Sequence, residues 1–352
     1  MAGGGTGGHV IPSVAVAGEL RQLGHDVLFV GTRRGMEATI VPRAGYPMEW
    51  IEIGGLQRVS WKQTLKTSWQ LPWSVLKSAW VLKKHKTAAV FSMGGYVAAP
   101  VMMAASAMGI PMVAMEPNAL PGLVTRKMAG RVQRALVSFE ETEKYFPPGR
   151  TVRTGLPVRG EFFAIQDKVP VRTLSILITG GSRGAKALNK AARESWPFFR
   201  RSGLSVRMVL QCGADEYDSL AREFNETQLD GEVVAYLHDM PAAYAAADLV
   251  VSRSGAGAVS ELAAAGKPSV LVPFPFAADD HQRHNAEAMA RAGAAQVCLE
   301  SEWSGERFFD VVGQLSGNPE RLRAMGAAAR KLAKPGAARK AAEILLELAL
   351  RS

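Results

Sequence analysis

The sequence predicts an α/β protein built from two Rossmann-like halves. Short apolar runs alternate with helical patterns along the 352 residues, which is typical of βαβ units and parallel sheets. The runs are continuous rather than alternating in polarity, as expected for strands that are covered on both faces. The pattern also restarts at Leu174, where a second apolar run feeds a second glycine turn. We therefore expect two domains of similar construction.

The predicted strands divide equally between these halves. They are residues 27–30, 88–91, 112–115 and 136–138 in the first, and 174–178, 206–210, 249–251 and 269–272 in the second. The expected organisation is a first domain over 1–158, a linker over 159–171, a second domain over 172–336, and a helix over 337–352 that packs on the first domain. Two such domains facing each other would bind ligands between the carboxyl ends of their strands.

One uncharged stretch, from Thr87 to Met115, imitates a membrane span. About 18–20 apolar residues are enough to cross a bilayer. Here Gly94, Gly95 and Pro100 interrupt the run. We therefore predict a strand, a loop, a helix and a second strand, all buried in the first domain.

The charge of the chain is strongly basic and unevenly distributed. The net charge is +10, and residues 1–150 contain 17 Lys and Arg against 9 Asp and Glu. This bias favours an anionic surface or substrate for the first half. The chain shows no recognisable nucleic-acid-binding motif, so we expect no nucleic-acid partner. Two cysteines imply no disulfide framework, and no secretory signal is visible, which indicates a reducing compartment.

The first glycine loop, from Gly3 to Gly8, is followed at once by His9. Glycines allow a close approach to a ligand, and amides at a helix start favour an anion, so the loop predicts a phosphate cradle beside a proton acceptor. Because only two residues precede it, we expect the first strand of the sheet to be truncated. The spacing also fits a dinucleotide fingerprint, but Arg33 and Arg34 stand where an acidic residue would bind ribose. An NADP-dependent oxidoreductase therefore stays open as an alternative.

Two helix starts in the second half also predict anion sites. The turn from Gly180 to Gly184 follows a strand and opens a helix. At a later helix start, Gly255 and Gly257 expose backbone amides, and the carboxylate of Glu261 lies about one turn further on. Such a carboxylate can accept hydrogen bonds from two vicinal sugar hydroxyls, and the alternative is a glutamate that only stabilises the helix dipole. Residues 279–284 are rich in Asp and His, but their spacing favours contacts to a sugar, so we expect neither a metal nor a cofactor.

A tryptophan- and lysine-rich segment covers residues 57–87. It contains four of the seven tryptophans, and Trp69, Trp73 and Trp80 share one face of a helix that Pro72 is expected to open. Tryptophan beside lysine suits the headgroup layer of an anionic membrane. The alternative is a stripe that faces the protein core, with the lysines in solvent.

Several motifs, taken in order, resemble the MurG family of N-acetylglucosaminyltransferases over nearly the whole chain. They are AGGGTGGHVIP, SMGGYVAAP, MEPNALPG, TGLPVR, TGGSRGAKALN, RSGAGAVSELAAAGKP and DHQRHNA. The resemblance implies a GT-B fold, with two Rossmann-like domains facing a central cleft. It implies inverting transfer of N-acetylglucosamine from UDP-N-acetylglucosamine to the muramoyl 4-hydroxyl of lipid I, undecaprenyl-diphospho-N-acetylmuramoyl-pentapeptide, giving lipid II. The second alternative is a UDP-N-acetylglucosamine 2-epimerase, which shares the architecture and the donor.

The resemblance also implies site residues and a location. His9 is the first choice for the catalytic base, and Glu116 is the second. The substrate-binding residues are Thr6, Gly7, Gly8, Asn118, Arg159, Ser182, Leu237, Ala256, Gly257, Ala258, Val259, Ser260, Glu261 and Gln282. Glu261 would bind the ribose, and Leu237 would border the uracil. The protein is expected to lie peripherally on the cytoplasmic face of the inner membrane, through residues 57–87.

Overall fold

The computed structural model describes residues 1–54, 61–166, 168, 173–181 and 184–351, with the backbone alone over 61–68. The chain forms two compact units, the first from residues 1–157 and 336–352 and the second from residues 158–335. Each unit has its own parallel sheet and its own apolar core.

The first unit alternates strands and helices. Its strands are β1 (Phe29–Gly31), β2 (Met48–Trp50), β3 (Val90–Ser92), β4 (Met112–Glu116), β5 (Arg134–Val137) and β6 (Thr151–Arg153). Its helices are α1 (Gly7–Gln22), α2 (Glu37–Arg43), α3 (Trp61–Lys84), α4 (Gly95–Ala107), α5 (Leu123–Met128) and the last helix, α14 (Ala337–Leu350). Helix α14 packs against α1, where Arg339 lies 3.6 Å from the carboxylate of Glu19.

A single residue stands where the first strand of this sheet is expected. The strands form one pair, β1-β2, and one sheet in the order β3-β4-β5-β6. The backbone of Ala2 lies between them, bridging Val30 of β1 and Ser92 of β3 in parallel. The amide of Ala2 donates to Phe91, and the carbonyl of Ala2 accepts from Met93. Ala2 thus joins the two parts of the sheet and leads directly into the first glycine loop.

The uncharged stretch folds as a strand, a loop, a helix and a second strand, which confirms its assignment as buried core. It contains β3, α4 and β4, and the five residues of β4 are all buried. Across the described part of the chain, no helix combines the length and the apolar character that a bilayer crossing needs.

The exposed face of α3 carries three tryptophans. Trp69, Trp73 and Trp80 have exposed fractions of 74%, 72% and 54%, whereas Val81 and Leu82 are buried. The tryptophan stripe therefore does not face the core of this unit. The expectation that Pro72 opens the helix is wrong, because α3 begins at Trp61 and continues through it. The hydrogen bond lost at a helical proline is offset by packing of the buried face.

The second unit contains a six-stranded parallel sheet in the order β12-β11-β10-β7-β8-β9. Its strands are β7 (Leu174–Thr179), β8 (Val206–Gln211), β9 (Asp230–Val234), β10 (Leu249–Ser252), β11 (Ser269–Leu271) and β12 (Ala295–Val297). Its helices are α6 (Gly160–Phe163), α7 (Lys186–Ser202), α8 (Tyr217–Thr227), α9 (Met240–Ala246), α10 (Ala256–Ala265), α11 (His281–Arg291), α12 (Gly305–Ser316) and α13 (Pro319–Leu332). The order reverses beside β7, which is the position where open α/β sheets bind ligands.

Candidate active site

In the first unit, three loops meet at the carboxyl ends of neighbouring strands. The first glycine loop follows Ala2, a Gly94–Gly95 turn follows β3, and residues 117–122 follow β4. Gly5, Gly94 and Gly95 have positive φ angles of 88°, 71° and 76°. Glycine adopts this region without the steric cost that a Cβ brings. These loops therefore place Thr6, Gly7, Gly8 and Asn118 at the edge of the sheet where ligands bind.

His9 lies in the first turn of α1, and the backbone beneath it fixes its ring. The imidazole Nδ1 is 3.2 Å from the carbonyl oxygen of Gly4. Because a carbonyl can only accept, this contact assigns the proton to Nδ1 and the acceptor lone pair to Nε2. Gly95 permits the close packing, since a Cβ there would lie 3.3 Å from Nδ1. The contact thus fixes the orientation of the ring, with Nε2 as the nitrogen that carries the lone pair.

A buried carboxylate that the sequence analysis missed holds the first glycine loop. Glu37, at the start of α2, is fully buried. Its Oε2 accepts from the amide of Gly5 at 2.8 Å. Its Oε1 accepts from the amide and hydroxyl of Thr32 at 3.0 and 2.8 Å. The one sequence feature that could have indicated Glu37 is its place shortly after Gly35, at the start of a helical pattern.

We expect Glu37→Ala to destabilise the protein by about 2–4 kcal/mol, because it leaves two buried donors of Thr32 and the partly buried amide of Gly5 without their acceptor. Chemical denaturation of both variants would measure the loss. The matched control is Glu343→Ala, which removes a surface carboxylate of α14 that pairs with Arg339 at 3.2 Å. Exposed pairs contribute roughly 0–1 kcal/mol. Equal losses in the two variants would contradict the proposed anchoring.

Glu116, the second candidate base, ends β4 and is buried beneath its own loop. Its Oε1 accepts from the amide and side chain of Asn118, both at 3.1 Å, and its Oε2 accepts from the amide of Gly122 at 3.0 Å. Burial raises the pKa of the carboxyl, and these hydrogen bonds oppose the shift. The geometry gives Glu116 the task of shaping the loop that carries Asn118.

In the second unit, the turn after β7 lies against the neighbouring strand. The hydroxyl of Thr179 donates to Gln211 of β8 at 2.7 Å, and Gln211 in turn donates to the carbonyl of Gly181 at 3.3 Å. Helix α7 begins immediately afterwards, at Lys186. Ser182, a predicted contact to the donor diphosphate, falls outside the described residues.

Gly184 leaves no room for a side chain in this turn. Its φ angle is 71°, and a Cβ would lie 1.9 Å from the carbonyl oxygen of Cys212. We expect Gly184→Ala to destabilise the protein by about 2–5 kcal/mol, through backbone strain and overpacking. In α12, a Cβ added at Gly313 would have no atom within 4 Å. Gly313→Ala should therefore leave the free energy of unfolding unchanged or raise it by up to roughly 0.5–1 kcal/mol. Thermal and denaturant unfolding of both variants check the contrast, and an unchanged Gly184→Ala protein would refute it.

The start of α10 combines amides with a perturbed carboxyl. Gly255 caps the helix, and within the described residues no side chain bonds to its first amides. Glu261 lies in the second turn, where burial raises the pKa of its carboxyl to about 7 and Arg159 opposes the shift. Arg159 also lies over the ring of Phe162, at 5.2 Å from the centroid. This helix start can hold an anion, and its carboxylate can accept from hydroxyl groups.

Gln282 and Arg253 are both held by backbone atoms around β11. The amide of Phe274 donates to Gln282 Oε1 at 3.0 Å, which assigns Nε2 as the donor available to a sugar. Arg253 donates to the carbonyls of Val272 and Pro273 at 3.0 and 3.2 Å, and forms an ion pair with Glu300. Arg253 was not among the predicted site residues. Its position directly after a buried strand is the signal that could have indicated it.

These elements of the second unit surround one cavity of about 580 Å³. Of the predicted residues, Ala258, Glu261 and Gln282 line it, together with Gly180, Arg253 and Phe274. Leu237 is half-buried and is not part of the lining, and the side chain of Val259 is buried in the core. Through the described residues, no three His, Cys, Asp or Glu side chains group as a metal site would require.

Two domain families match the sequence. The glycosyltransferase family 28 N-terminal domain matches residues 1–137, and the family 28 C-terminal domain matches residues 175–342. A relative from Solibacter usitatus, named UDP-N-acetylglucosamine--N-acetylmuramyl-(pentapeptide) pyrophosphoryl-undecaprenol N-acetylglucosamine transferase, is 57% identical over 99% of this chain and 95% of its own. A relative of the same name from Myxococcus xanthus is 39% identical over 100% of this chain and 93% of its own.

Solved structures give the same result at the level of the fold. The crystal structure of Acinetobacter baumannii MurG matches with a TM-score of 0.84 and 31% identity, over 98% of this chain and 97% of that one. A Neisseria meningitidis UDP-GlcNAc 2-epimerase matches with a TM-score of 0.61 and 16% identity, over 99% and 98%. The latter likeness concerns the fold alone. The fold class is GT-B, and the chain belongs to glycosyltransferase family 28 and, within it, to the MurG family of N-acetylglucosamine transferases.

Proposed function

We propose that this glycosyltransferase transfers N-acetylglucosamine from UDP-N-acetylglucosamine to the muramoyl 4-hydroxyl of lipid I, with inversion, to give lipid II for peptidoglycan synthesis. The observation that carries the proposal is 57% identity to the Solibacter usitatus transferase over nearly the whole of both chains. The two alternatives are not favoured. The 2-epimerase shares only the fold with this chain, and the full-length relatives are named as transferases, which speaks against an NADP-dependent oxidoreductase.

The donor binds in the second unit. The amides of residues 256–258, at the start of α10, donate to the diphosphate of UDP, since helix N-termini stabilise anions, whereas the amide of Val259 donates to the carbonyl of Gly255 within the helix. The carboxylate of Glu261 accepts from the two ribose hydroxyls, and Nε2 of Gln282 donates to the transferred sugar. The family resemblance assigns Ser182 to the diphosphate and Leu237 to the uracil, and Leu237 would then contact the base from outside the lining of the cavity.

The acceptor binds in the first unit, where Thr6, Gly7 and Gly8 present amides to the diphosphate of lipid I. The acceptor oxygen forms its bond to the anomeric carbon as the bond from that carbon to UDP breaks. The hydroxyl proton passes to Nε2 of His9, which the Gly4 carbonyl orients. The leaving UDP takes the electron pair, and the α10 amides and Arg159 stabilise its charge. Glu116 supports the loop of Asn118 and does not take the proton.

The test is UDP release from UDP-N-acetylglucosamine, measured with and without a soluble lipid I analogue. We expect release only with the analogue, together with a β-linked disaccharide product. Release without an acceptor would indicate the epimerase, and no release under either condition would overturn the proposal.

The tryptophan stripe of α3 docks on an anionic membrane at the cytoplasmic face, where a lipid acceptor would be found. The exposed indoles of Trp69 and Trp73 suit the headgroup layer. Lys77 lies over the ring of Trp80, at 5.8 Å from its centroid, so cationic and aromatic groups share one surface. Each such cation contributes about 1 kcal/mol near an anionic leaflet.

Replacing Trp69, Trp73 and Trp80 by serine should release the protein from anionic vesicles, as measured by sedimentation. Tyr217→Ser, which removes an exposed aromatic ring of α8 in the second unit, is the matched control and should leave binding intact. The lysine contribution should weaken as salt rises, because ions screen exposed charges. Vesicle binding that survives the triple substitution would count against this surface.

A further inference from the structure

Two large apolar side chains lie exposed beside the first glycine loop. Ile11 of α1 is 59% exposed, and Met36, which precedes α2, is 49% exposed. Both reach the space above Gly7, where a Cβ would lie 3.4 Å from Met36 Cε and 3.7 Å from Ile11 Cδ1. Single exposed apolar residues are common on protein surfaces. These two differ in that they converge on a loop that is proposed to bind a ligand, and we name the pair the apolar ledge.

The apolar ledge is held in register with the glycine loop. Glu37, the residue after Met36, bonds to the amide of Gly5 and to Thr32. The segments that carry the ledge and the phosphate-binding amides are thus joined through one buried carboxylate. Arg33 and Arg34 are exposed on the same turn as Met36. One short turn therefore presents cations at its start and an apolar side chain at its end.

This combination matches the chemistry of a prenyl diphosphate. In such a molecule one phosphoester oxygen separates the anionic diphosphate from the hydrocarbon chain. A protein that binds the diphosphate at the start of α1 must therefore accommodate apolar carbons within a few ångströms of those amides. Those carbons that neither the protein nor the bilayer covers stay in water, which costs about 25 cal/mol per Å² of apolar surface.

We propose that the apolar ledge of Ile11 and Met36 binds the first isoprene units of the lipid acceptor, next to the diphosphate held by the glycine loop. The proposal rests on the proposed function, and it makes the ledge a determinant of specificity for the acceptor tail. Recognition of this kind is separate from docking of α3 on a membrane, because it requires a single acceptor molecule and should also be measurable with a water-soluble acceptor.

The experiment compares two water-soluble acceptors with the same diphosphate and muramoyl-peptide and with different tails, one ethyl and one geranyl. We expect the wild-type KM to be about tenfold lower for the geranyl acceptor, from the apolar area that two isoprene units bury. In the double variant Ile11→Gln, Met36→Gln, the ratio of the two KM values should fall to near one. Met108→Gln is the matched control and should keep the wild-type ratio. Met108 is an exposed methionine that follows the last residue of α4, whereas His9 packs against the first residue of that helix, Gly95.

The outcomes separate the two claims. The role of the apolar ledge is overturned if the double variant keeps the wild-type ratio of KM values. It is also overturned if the wild-type ratio is near one. In both cases the sugar transfer itself is still observed. If the wild-type protein transfers sugar to neither acceptor, the proposed function fails and the ledge fails with it. Turnover of the ethyl acceptor by the double variant shows that it is folded.

Discussion

Replacing His9 by alanine is expected to lower kcat by about 10²–10⁴-fold, the usual contribution of a positioned general base. The KM for UDP-N-acetylglucosamine should change little, because the residues proposed to bind the donor belong to the second unit. The physical basis is the contact of Nδ1 with the Gly4 carbonyl, which places the basic lone pair on Nε2. Steady-state kinetics with a soluble lipid I analogue would measure both parameters.

Two further variants make this result specific. His9→Gln keeps a donor for the Gly4 carbonyl and removes the base, so it should be as inactive as His9→Ala. His25→Ala removes an exposed histidine that follows α1 and should be fully active. Activity recovered by His9→Gln would show that the ring serves only to hold the glycine loop. A loss of less than about tenfold in His9→Ala would remove it as the base.

The KM for UDP-N-acetylglucosamine is expected to rise by about tenfold for each pH unit below 7, and to be flat above it. The sign follows from Glu261, because burial raises the pKa of its carboxyl to about 7 in the free protein. The ionised form can accept from both ribose hydroxyls, whereas the protonated form loses acceptor capacity. Below pH 7 the Glu261 carboxyl of the free protein is protonated. It must lose this proton when UDP-N-acetylglucosamine binds, and the affinity for the donor falls accordingly.

Glu261→Gln removes the titrating group, so its KM should be nearly independent of pH over the same range. At pH 8 that KM should exceed the wild-type value by about 10–100-fold, since hydrogen bonds to a charged group contribute roughly 1.5–3 kcal/mol. Glu287→Gln, on the surface of α11, is the control and should keep the wild-type profile. A Glu261→Gln variant with an unchanged pH profile would contradict this role for the carboxyl.

All eight predicted strands are present, and they form the centres of both sheets. The strands that were missed are β2, β6, β9 and β12, which lie at the edges. Strand β9 has only one buried residue, Val233, and β2 has none. An edge strand is covered on fewer sides, so its sequence need not be a continuous apolar run. Its place in the sheet follows from pairing with a neighbour distant in sequence.

The candidate site divides in a similar way. Sequence motifs located the glycine loops, His9, Glu261 and Gln282, because the function proposed for them requires particular residue types at a fixed spacing. Glu37 could not, since a buried carboxylate that bonds to the amide of Gly5 has the same local sequence as an ordinary helix-start glutamate. The part played by Glu116 depends equally on the fold of the loop around it.

The sequence by itself determined the α/β class, the two-part organisation, the glycine loops and the family. Strand periodicity and loop chemistry are local properties, and the sequence order records them directly. Only the tertiary structure decided that Trp69, Trp73 and Trp80 are exposed and that Ala2 bridges β1 and β3. The tertiary structure also decided that Ile11 and Met36 converge above Gly7. These features depend on which surfaces meet after folding, and an amphipathic pattern does not specify its partner.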